Sequence, residues 1–363
     1  MKILWVIDSL GSGGAQRQMV TLARMLKKKK YDVSIVCYSE ENFFAEVCNR
    51  ESIPVFWFIE KNYLTRIFVF RRFIRKGGYD AVISFMEVPN FLNCFAAIGG
   101  RNWKLITNEL SAKQSTFITK RGKLFAWFQR YSDALICNSN NAKNMWIEYY
   151  PKYKNKLRVI YNPVVIPKNK STFIPKNLGK LNVIIAASYQ YLKNPIGLIK
   201  ALSLMNETEK AQIKVTWYGE KNVSSGGTKC YEEAERLIDE NNLHGIIKLN
   251  GPTREIAKKM NEADAVALLS SVEGLPNAVL EGMVLSKAII MSRVSDYAVL
   301  VDETNGFLCD WNSPESIKNA LVAAISLSSE QLIIMGEKSK NKAEQLFSSE
   351  VILQKWIDIL END

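Results

Sequence analysis

Short apolar runs alternate with amphipathic segments along most of the chain. Runs of three to six residues are too short for a buried helix and are typical of buried strands. Helical patterns begin between them, near Ala15, Asn62, Pro89, Ser115 and Ser139. The alternation predicts a parallel sheet covered by helices. The strands predicted in the first half are Ile3–Ile7, Val33–Tyr38, Val55–Phe58, Ala81–Phe85, Leu105–Thr107 and Ala134–Cys137.

The same alternation begins again in the second half, after a segment rich in Pro, Lys and Asn. This segment, from Asn162 to Pro175, is the predicted hinge. A chain of 363 residues is long enough for two cores. We therefore predict an α/β protein with Rossmann-like domains at residues 1–165 and 176–345, followed by a last helix near Ser348–Leu360. The strands predicted in the second half are Val183–Ala187, Lys214–Tyr218, Ile246–Leu249, Ala265–Leu269 and Ala288–Met291.

The segment Glu273-Gly-Leu-Pro-Asn-Ala-Val-Leu-Glu281 follows one of these strands. Pro276 suits the first position of a helix, and a helix start that follows a strand offers unpaired N–H groups to an anion. Glu281 lies about five residues into that helix, roughly 7 Å along its axis. The spacing predicts a nucleotide-sugar site with the sugar on Glu273, the diphosphate on the helix start and the ribose on Glu281, because carboxylates accept hydroxyl protons.

This segment resembles the Glu-x7-Glu signature of retaining glycosyltransferases of family 4, which have the GT-B fold. Ser270-Ser-Val272 before it, Gly282-Met283 after it, and Asn305-Gly-Phe-Leu308 further on resemble the family as well. The resemblance implies two Rossmann-like domains with parallel sheets that face a central cleft. It assigns the acceptor to residues 1–165 and the nucleotide-sugar to residues 176–345. It also implies that residues 346–363 cross back onto the N-terminal domain.

The resemblance assigns further donor-binding residues. Lys193 matches a lysine that grips the diphosphate, but Ser188 stands where the family usually has an arginine. Gly14 lies in a glycine loop near the diphosphate, where Gln16 replaces the usual glutamate. Gly219 has an equally good interpretation as an ordinary strand-end turn. The predicted catalytic residues are Glu273 and Lys193, and the other predicted donor-binding residues are Asn194, Pro252, Thr253, Gly274, Leu275, Pro276 and Asn277.

The N-terminal half lacks the histidine that many family members place against the sugar. That position falls on Glu109 or Leu110, and the one histidine of the chain, His244, lies in the other half. Asn108 and Glu109 are candidate contacts of the sugar or the acceptor, with a structural role at the strand end as the alternative. By resemblance, the leaving phosphate takes the proton of the acceptor. No cofactor and no metal are predicted, because the chain has no Asp-x-Asp signature.

Charge is distributed unevenly along the chain. Residues 1–165 hold 26 Lys and Arg against 12 Asp and Glu, a net +14, whereas the remainder carries −3. An anionic partner is therefore expected on the N-terminal side. No zinc knuckle, helix-turn-helix signature or RNP-like strand supports nucleic acid as that partner. The basic and aromatic segments Ile67–Lys76 and Lys120–Arg130 instead predict docking on an anionic membrane surface, with packing of an amphipathic helix as the alternative.

We therefore predict a retaining hexosyltransferase that uses a nucleotide-diphosphate sugar, with UDP favoured over GDP. The acceptor is predicted to be a glycan or a polyprenyl-diphosphate-linked sugar in bacterial surface polysaccharide or O-antigen synthesis. No apolar run reaches the length of a membrane span, and six scattered cysteines indicate a reducing compartment. The predicted location is the cytoplasm, including the inner face of the membrane. A UDP-N-acetylglucosamine 2-epimerase of similar fold and a non-catalytic partner subunit remain the alternatives.

Overall fold

The chain folds into two units, each built around one parallel sheet. Unit 1 comprises Met1–Pro163 together with Ser349–Asp363, and unit 2 comprises Val164–Ser348. The computed structural model describes residues 1–109, 115–164, 175–176, 179–223 and 226–362, with only the backbone of Ser115. Leu110 and most of the predicted hinge, residues 165–174, lie outside the described residues.

Unit 1 has a seven-stranded parallel sheet in the order β3-β2-β1-β4-β5-β6-β7. Its strands are β1 Lys2–Val6, β2 Asp32–Cys37, β3 Val55–Trp57, β4 Ala81–Phe85, β5 Lys104–Glu109, β6 Ala134–Cys137 and β7 Leu157–Val159. Its helices are α1 Gly14–Lys28, α2 Ala45–Arg50, α3 Tyr63–Lys76, α4 Glu87–Ala96, α5 Ser115–Ile118, α6 Lys120–Phe128, α7 Asn140–Tyr149 and, from the end of the chain, α16 Ser349–Glu361.

Helix α16 packs against the central strands of unit 1 through aromatic contacts. The ring of Trp356 lies 5.7 Å from that of Trp5 on β1 and is stacked on Phe85 of β4 at 6.3 Å, measured between ring centroids. Lys104 of β5 donates to the carbonyl oxygen of Ile359 at 2.7 Å, near the end of the helix. A cation at this end also favours the helix dipole. These contacts bury the apolar face that the sequence shows in this helix.

Unit 2 has a six-stranded parallel sheet in the order β10-β9-β8-β11-β12-β13. Its strands are β8 Leu181–Ala186, β9 Ile213–Tyr218, β10 Ile247–Asn250, β11 Ala265–Leu268, β12 Ala288–Ser292 and β13 Gly306–Cys309. Its helices are α8 Pro195–Ser203, α9 Glu207–Ala211, α10 Lys229–Glu240, α11 Ile256–Asn261, α12 Asn277–Val284, α13 Tyr297–Leu300, α14 Pro314–Ser326 and α15 Ser329–Phe347.

The α/β class with two Rossmann-like parallel sheets is confirmed, and every predicted strand is present. The pattern missed the edge strands β7 and β13, because Leu157-Arg-Val159 and Gly306-Phe-Leu-Cys309 are short and are only partly buried. Strand β5 is longer than predicted and extends through Glu109. Asn108 and Glu109 are therefore its last residues rather than part of the loop that follows.

The basic face predicted on α3 is only partly a solvated face. Arg71 donates to the carbonyl oxygens of Phe95 and Ala96 at the end of α4, at 2.9 and 3.0 Å. Arg75 donates to the carbonyl oxygen of Gly100 at 2.7 Å. These two arginines satisfy carbonyls that a helix end leaves unpaired. Both arginines therefore bind backbone carbonyls within unit 1, and docking of the segment Ile67–Lys76 on a membrane stays a prediction.

Gly219 follows β9 at a point where two strand ends meet closely. A Cβ atom at this position would lie 1.8 Å from the carbonyl oxygen of Ala187, which follows β8. That oxygen also accepts from the indole nitrogen of Trp217 at 2.6 Å, so it has little freedom to move. Gly219 therefore has a structural reason to be glycine, whether or not it also contacts a ligand.

We expect Gly219→Ala to lower the melting temperature of the protein, because the added methyl forces strand ends apart at a cost of about 1–3 kcal/mol. Gly251→Ala is the matched control. Gly251 also follows a strand end, but a methyl group added there would meet no atom within 4 Å. Thermal unfolding of the two variants checks this expectation. Equal melting temperatures would show that the contact with Ala187 relaxes without cost.

Candidate functional site

The predicted donor site lies where the strand order of unit 2 reverses. Strands β8 and β11 are neighbours in the sheet, with Val183 paired with Ala265, and their chain connections leave on opposite sides. In open α/β sheets, the carboxyl ends of the strands at such a switch point form a crevice for ligands. The segments that follow β8 and β11 contain Lys193 and Glu273.

Lys193 and Glu273 form an ion pair at this position. The Nζ of Lys193 lies 2.6 Å from the Oε1 of Glu273, and the two side chains are 22% and 11% exposed. The backbone holds them together, because the amide of Ser271 donates to the carbonyl oxygen of Leu192 at 2.8 Å. The sequence predicted both residues at the donor site from separate motifs, and the structure brings them into direct contact.

Helix α12 begins beside Glu273. Pro276 is the N-cap of this helix and not its first residue, so the helix start was predicted one residue too early. Its ψ of 84° is not helical, and the first helical N–H belongs to Asn277. No side chain among the described residues caps this end. An uncapped helix start carries about half a positive charge and suits an anion. Glu281 is half-buried at the fifth position of the helix.

The loop between β11 and α12 is braced from inside the unit. Gly274 accepts a hydrogen bond through its carbonyl oxygen from the hydroxyl of Ser295, and Leu275 is buried. Ser270 is 1% exposed and donates through its hydroxyl to the Oε1 of Glu273 at 2.6 Å. In the sequence, Ser270 is recognisable only as a residue that precedes the Glu273–Glu281 motif. Its direct contact with Glu273 depends on the loop conformation, which the residue order does not reveal.

The residues after β8 serve the structure as well as the predicted site. Asn194 has a left-handed backbone with φ of 66° and accepts from the amide of Gly197 at 3.1 Å, so it caps α8. Its side-chain nitrogen donates to the carbonyl oxygen of Trp311 at 2.7 Å. Ser188 accepts from the side chain of Gln190 at 2.9 Å, which leaves its hydroxyl hydrogen to donate elsewhere.

The predicted base-binding residues Pro252 and Thr253 lie in the loop that follows β10. Thr253 accepts through its hydroxyl from the amide of Glu255 at 3.1 Å. The hydroxyl of Tyr189 donates to the carbonyl oxygen of Asn250 at 2.9 Å, which ties the segment after β8 to the end of β10. Pro252 and Thr253 therefore belong to the same edge of the sheet as Lys193, and no contact links them directly to the Lys193–Glu273 pair among the residues described.

Unit 1 places its predicted residues at the equivalent edge of its own sheet. Gly14 is the first residue of α1, after the loop that follows β1. A methyl group at Gly14 would meet no atom within 4 Å, so unit 1 itself gives no steric reason for glycine there. Gln16 is buried and donates to the Oδ1 of Asp8 at 2.9 Å. Gln16 therefore holds the glycine loop to the end of β1.

The side chain of Glu109 is buried at the end of β5. The Nδ2 of Asn90, on α4, donates to its Oε1 and to the carbonyl oxygen of Asn108, both at 3.0 Å. Burial raises the pKa of Glu109 to about 7, although the hydrogen bond from Asn90 opposes the shift, and the negative charge of Glu87 adds to it. The Oδ1 of Asn108 is buried without a hydrogen-bond partner in the described part of the chain.

Two features of this region could not be recognised in the sequence. Met86 joins β4 to α4 with φ of 79°, a left-handed backbone value that a non-glycine residue rarely adopts. Ser84, Asn90 and Asn93 form a hydrogen-bonded network, in which the hydroxyl of Ser84 donates to the Oδ1 of Asn90 at 2.8 Å. All three are fully buried. A sequence shows polar residues here, but only the fold shows that they are inside.

The described residues contain no group of three or more His, Cys, Asp and Glu side chains arranged to hold a metal ion. All six cysteines are buried and unpaired. Within the described ranges, no single helix is long and apolar enough to cross a membrane, although α14 and α15, which meet at 114°, pass the length and composition criteria as a bent pair.

Comparison with known families decides the identity of the chain at the family level. Residues 12–166 match the family model described as Glycosyltransferase Family 4, and residues 168–349 match Glycosyl transferases group 1. The second match alone spans half of the chain. The protein belongs to the group 1 glycosyltransferases. The predicted family, its enzymatic class and the GT-B fold are thereby confirmed.

Curated relatives of this glycosyltransferase are similar over most of their length. One is the α-1,4-N-acetyl-D-galactosaminyltransferase of Campylobacter jejuni that is named for GalNAc-α-(1→4)-GalNAc-α-(1→3)-diNAcBac-PP-undecaprenol. It is 26% identical over 85% of each chain. Another is the UDP-Gal:α-D-GlcNAc-diphosphoundecaprenol α-1,3-galactosyltransferase of Escherichia coli, 24% identical over 91% of this chain and 88% of the relative.

Solved structures support the fold of this glycosyltransferase. The crystal structure of Anabaena Alr3699/HepE in complex with UDP superimposes with a TM-score of 0.86 at 18% identity and covers all of both chains. The apo form of the lipopolysaccharide outer core galactosyltransferase WaaB gives a TM-score of 0.77 at 14% identity, with coverage of 99% of this chain and 98% of the WaaB chain. At these identities the likeness concerns the fold alone.

Titration of Glu109 predicts a pH-dependent stability. The folded-state pKa of about 7 lies above the ordinary value of 4.5, so the unfolded chain loses this proton first as pH rises. The contribution of Glu109 to stability is therefore greatest below about pH 4.5 and falls until pH passes about 7, by an amount on the order of 3 kcal/mol. In Glu109→Gln this loss should disappear, because the amide cannot ionise.

Urea unfolding of the wild type and Glu109→Gln at pH 5 and pH 8 measures this effect. Both proteins share every other titrating group, so the difference between their pH dependences isolates Glu109. We expect Glu109→Gln to be the more stable of the two at pH 8. Identical changes in the urea midpoint would mean that Glu109 is ionised in the folded protein at both pH values.

Proposed function

We propose that this glycosyltransferase moves a hexose from a UDP-sugar to a polyprenyl-diphosphate-linked or polysaccharide acceptor, with retention of the anomeric configuration. The observation that carries the proposal is the Lys193–Glu273 pair beside the uncapped start of α12. A cation and a helix start suit a diphosphate, and a carboxylate beside them suits the hydroxyl groups of a sugar. UDP as the carrier and a lipid-diphosphate acceptor are supported by the names of the relatives.

The proposed chemistry needs no protein nucleophile. The acceptor hydroxyl attacks the anomeric carbon on the face that the diphosphate leaves, so a bond from carbon to the acceptor oxygen forms while the bond to the phosphate oxygen breaks. The acceptor proton passes to the departing phosphate oxygen. Lys193 and the first amides of α12 stabilise the developing negative charge, and Glu273 orients the sugar. Unit 1 is proposed to bind the acceptor, with Asn108 and Glu109 as its candidate contacts.

The alternative of a different class is a 2-epimerase, which inverts the configuration at C2 of UDP-N-acetylglucosamine. It would change this nucleotide-sugar without any acceptor, whereas the proposed transferase leaves the sugar configuration unchanged. A non-catalytic partner subunit would transfer nothing as a pure protein. Incubation of the purified protein with UDP-N-acetylglucosamine, first alone and then with a lipid-linked acceptor, distinguishes the three. The anomeric configuration of a transferred sugar, determined by NMR, tests retention.

We expect Glu273→Ala and Lys193→Ala to lower the turnover rate by about 100-fold to 1,000-fold, because each removes a group that contacts the reacting sugar or its leaving group. Glu281→Ala should mainly weaken donor binding. Glu207→Ala and Lys200→Ala, which remove exposed charges elsewhere in unit 2, are the controls. Steady-state rates measured against the donor concentration check these effects. A fully active Glu273→Ala protein would refute the proposed site.

Membrane docking of unit 1 is part of the proposal. One surface of α6 presents basic and apolar side chains together, and we call it the α6 surface. All its members are exposed, and the guanidinium of Arg130 lies 3.6 Å from the ring centroid of Trp127. Each basic residue near an anionic bilayer contributes about 1 kcal/mol, and a tryptophan suits the interface. The α6 surface consists of Lys120, Arg121, Lys123, Leu124, Trp127 and Arg130.

Reversing two charges should release the protein from anionic vesicles. We expect Lys120→Glu with Lys123→Glu to lower the affinity for phosphatidylglycerol vesicles at least about tenfold, because each reversal costs more than the attraction of one lysine. Lys248→Glu with Lys338→Glu changes the net charge equally on exposed residues of unit 2 and is the control. Vesicle co-sedimentation at low and high salt measures both. Equal losses in the two variants, or binding that salt does not change, would contradict docking through the α6 surface.

A further inference from the structure

We infer that Ser270 is a positioning residue that keeps Glu273 oriented when Lys193 turns from Glu273 to the diphosphate of the donor. This inference rests on the proposed function and deepens it. In the structure both Lys193 and Ser270 donate to the same oxygen, the Oε1 of Glu273, and each lies 2.6 Å from it. Among the described residues no hydrogen bond reaches Oε2, so this second oxygen is left to accept from a ligand.

The two donors differ in how firmly they are held. Lys193 lies in a short 3-10 turn at Tyr191–Lys193 and its side chain is 22% exposed, at the end of a flexible four-carbon stem. Ser270 is 1% exposed and has a side chain with one rotatable carbon bond. A lysine attracted by a doubly charged diphosphate changes partner readily. The serine has no comparable freedom, so its hydrogen bond to Glu273 persists.

A second buried serine fixes Ser270 in turn. Ser292, the last residue of β12, is fully buried and donates through its hydroxyl to the carbonyl oxygen of Ser270 at 2.7 Å. This bond holds the backbone of Ser270, whereas the hydroxyl of Ser270 holds the carboxylate of Glu273. The two serines therefore separate two effects. Loss of the Ser292 hydroxyl loosens the backbone, and loss of the Ser270 hydroxyl frees the carboxylate.

Binding of UDP and of UDP-sugars distinguishes these effects. UDP lacks the sugar hydroxyl groups that Glu273 would orient, so the ratio of the two dissociation constants reports on contacts with the sugar, which include that of Glu273. The wild type is first tested with UDP-glucose, UDP-galactose and their N-acetylamino counterparts, and the tightest of these is the probe. We expect Ser270→Ala to weaken the probe at least about tenfold relative to UDP, as loss of a hydrogen bond to a charged group does.

Ser292→Ala is the matched control, because it removes a buried hydroxyl that contacts the same loop from the end of β12. It should lower the melting temperature and leave the ratio of dissociation constants unchanged. Ser270→Thr, which retains a hydroxyl group, should restore the wild-type ratio. If Ser270→Ala does not fold, Ser270→Cys retains a weak donor in a similar volume and should show a smaller change in the same direction. An unchanged ratio in a folded Ser270→Ala or Ser270→Cys protein overturns the inference.

Failure of the inference and failure of the proposed function give different results. If the wild type binds no UDP-sugar, the proposed donor is wrong, and ligand-free crystal structures of Lys193→Ala and of the double variant Lys193→Ala with Ser270→Ala then decide the role of Ser270, because Lys193 no longer holds Glu273 in either protein. A carboxylate of Glu273 that turns away only in the double variant supports positioning, and one that keeps its direction there refutes it. If the wild type binds a UDP-sugar and Ser270→Ala binds it equally well relative to UDP, only the inference fails.

Discussion

The candidate site depends on the ion pair between Lys193 and Glu273. The pair exists because β8 and β11 are parallel neighbours, so the segments that follow them emerge side by side at one edge of the sheet. A carboxylate and an ammonium group that are both largely shielded from water would each be costly to leave alone. In contact they neutralise each other and hold both side chains at the start of α12. Under the proposed function, an incoming diphosphate exchanges one anionic partner of Lys193 for another, and no cation has to be buried anew.

The corresponding edge of unit 1 has no such pair among residues 1–109 and 116–163. Its polar side chains form a network of hydroxyl and amide groups around Asn90, and the carboxyl group within the network, Glu109, has its pKa raised to about 7 by burial. A neutral carboxyl group donates as well as accepts, unlike a carboxylate. The described edge of unit 1 therefore consists mainly of hydroxyl and amide groups, whereas the candidate site of unit 2 contains a lysine and a helix start.

The sequence predicted the sheet strands well because parallel strands buried on both faces form apolar runs of limited length. Resemblance to the family motifs placed Lys193 and Glu273 at one site, and some of the glycines near these motifs have steric causes. A methyl group at Gly282, for example, would lie 2.7 Å from a Cγ atom of Val266, so α12 can pack closely on β11. The sequence could not show which polar groups become partners across loops. Nothing in the sequence distinguishes Ser270 and Ser292 from other serines. Arg71 is part of a basic helix face in the sequence, whereas in the structure it donates to carbonyl oxygens at the end of α4.

Ser188 takes the place of a second cation that the resemblance would assign to this site, and the remaining charges indicate how the site can work without it. Lys193 contributes one positive charge and the start of α12 contributes about half of one, while Glu273 subtracts one. The net charge is therefore small beside that of a diphosphate. Under the proposed function, recognition of the diphosphate then depends on directed hydrogen bonds from the amides of α12 and from the hydroxyl hydrogen of Ser188. The oxygen of Ser188 already accepts from Gln190, so only its hydrogen is left to donate. Hydrogen bonds discriminate by geometry, and a weakly charged site holds the product diphosphate less firmly after the sugar has left. Under the proposed function, a serine at position 188 favours release of the product, at the expense of affinity for the donor.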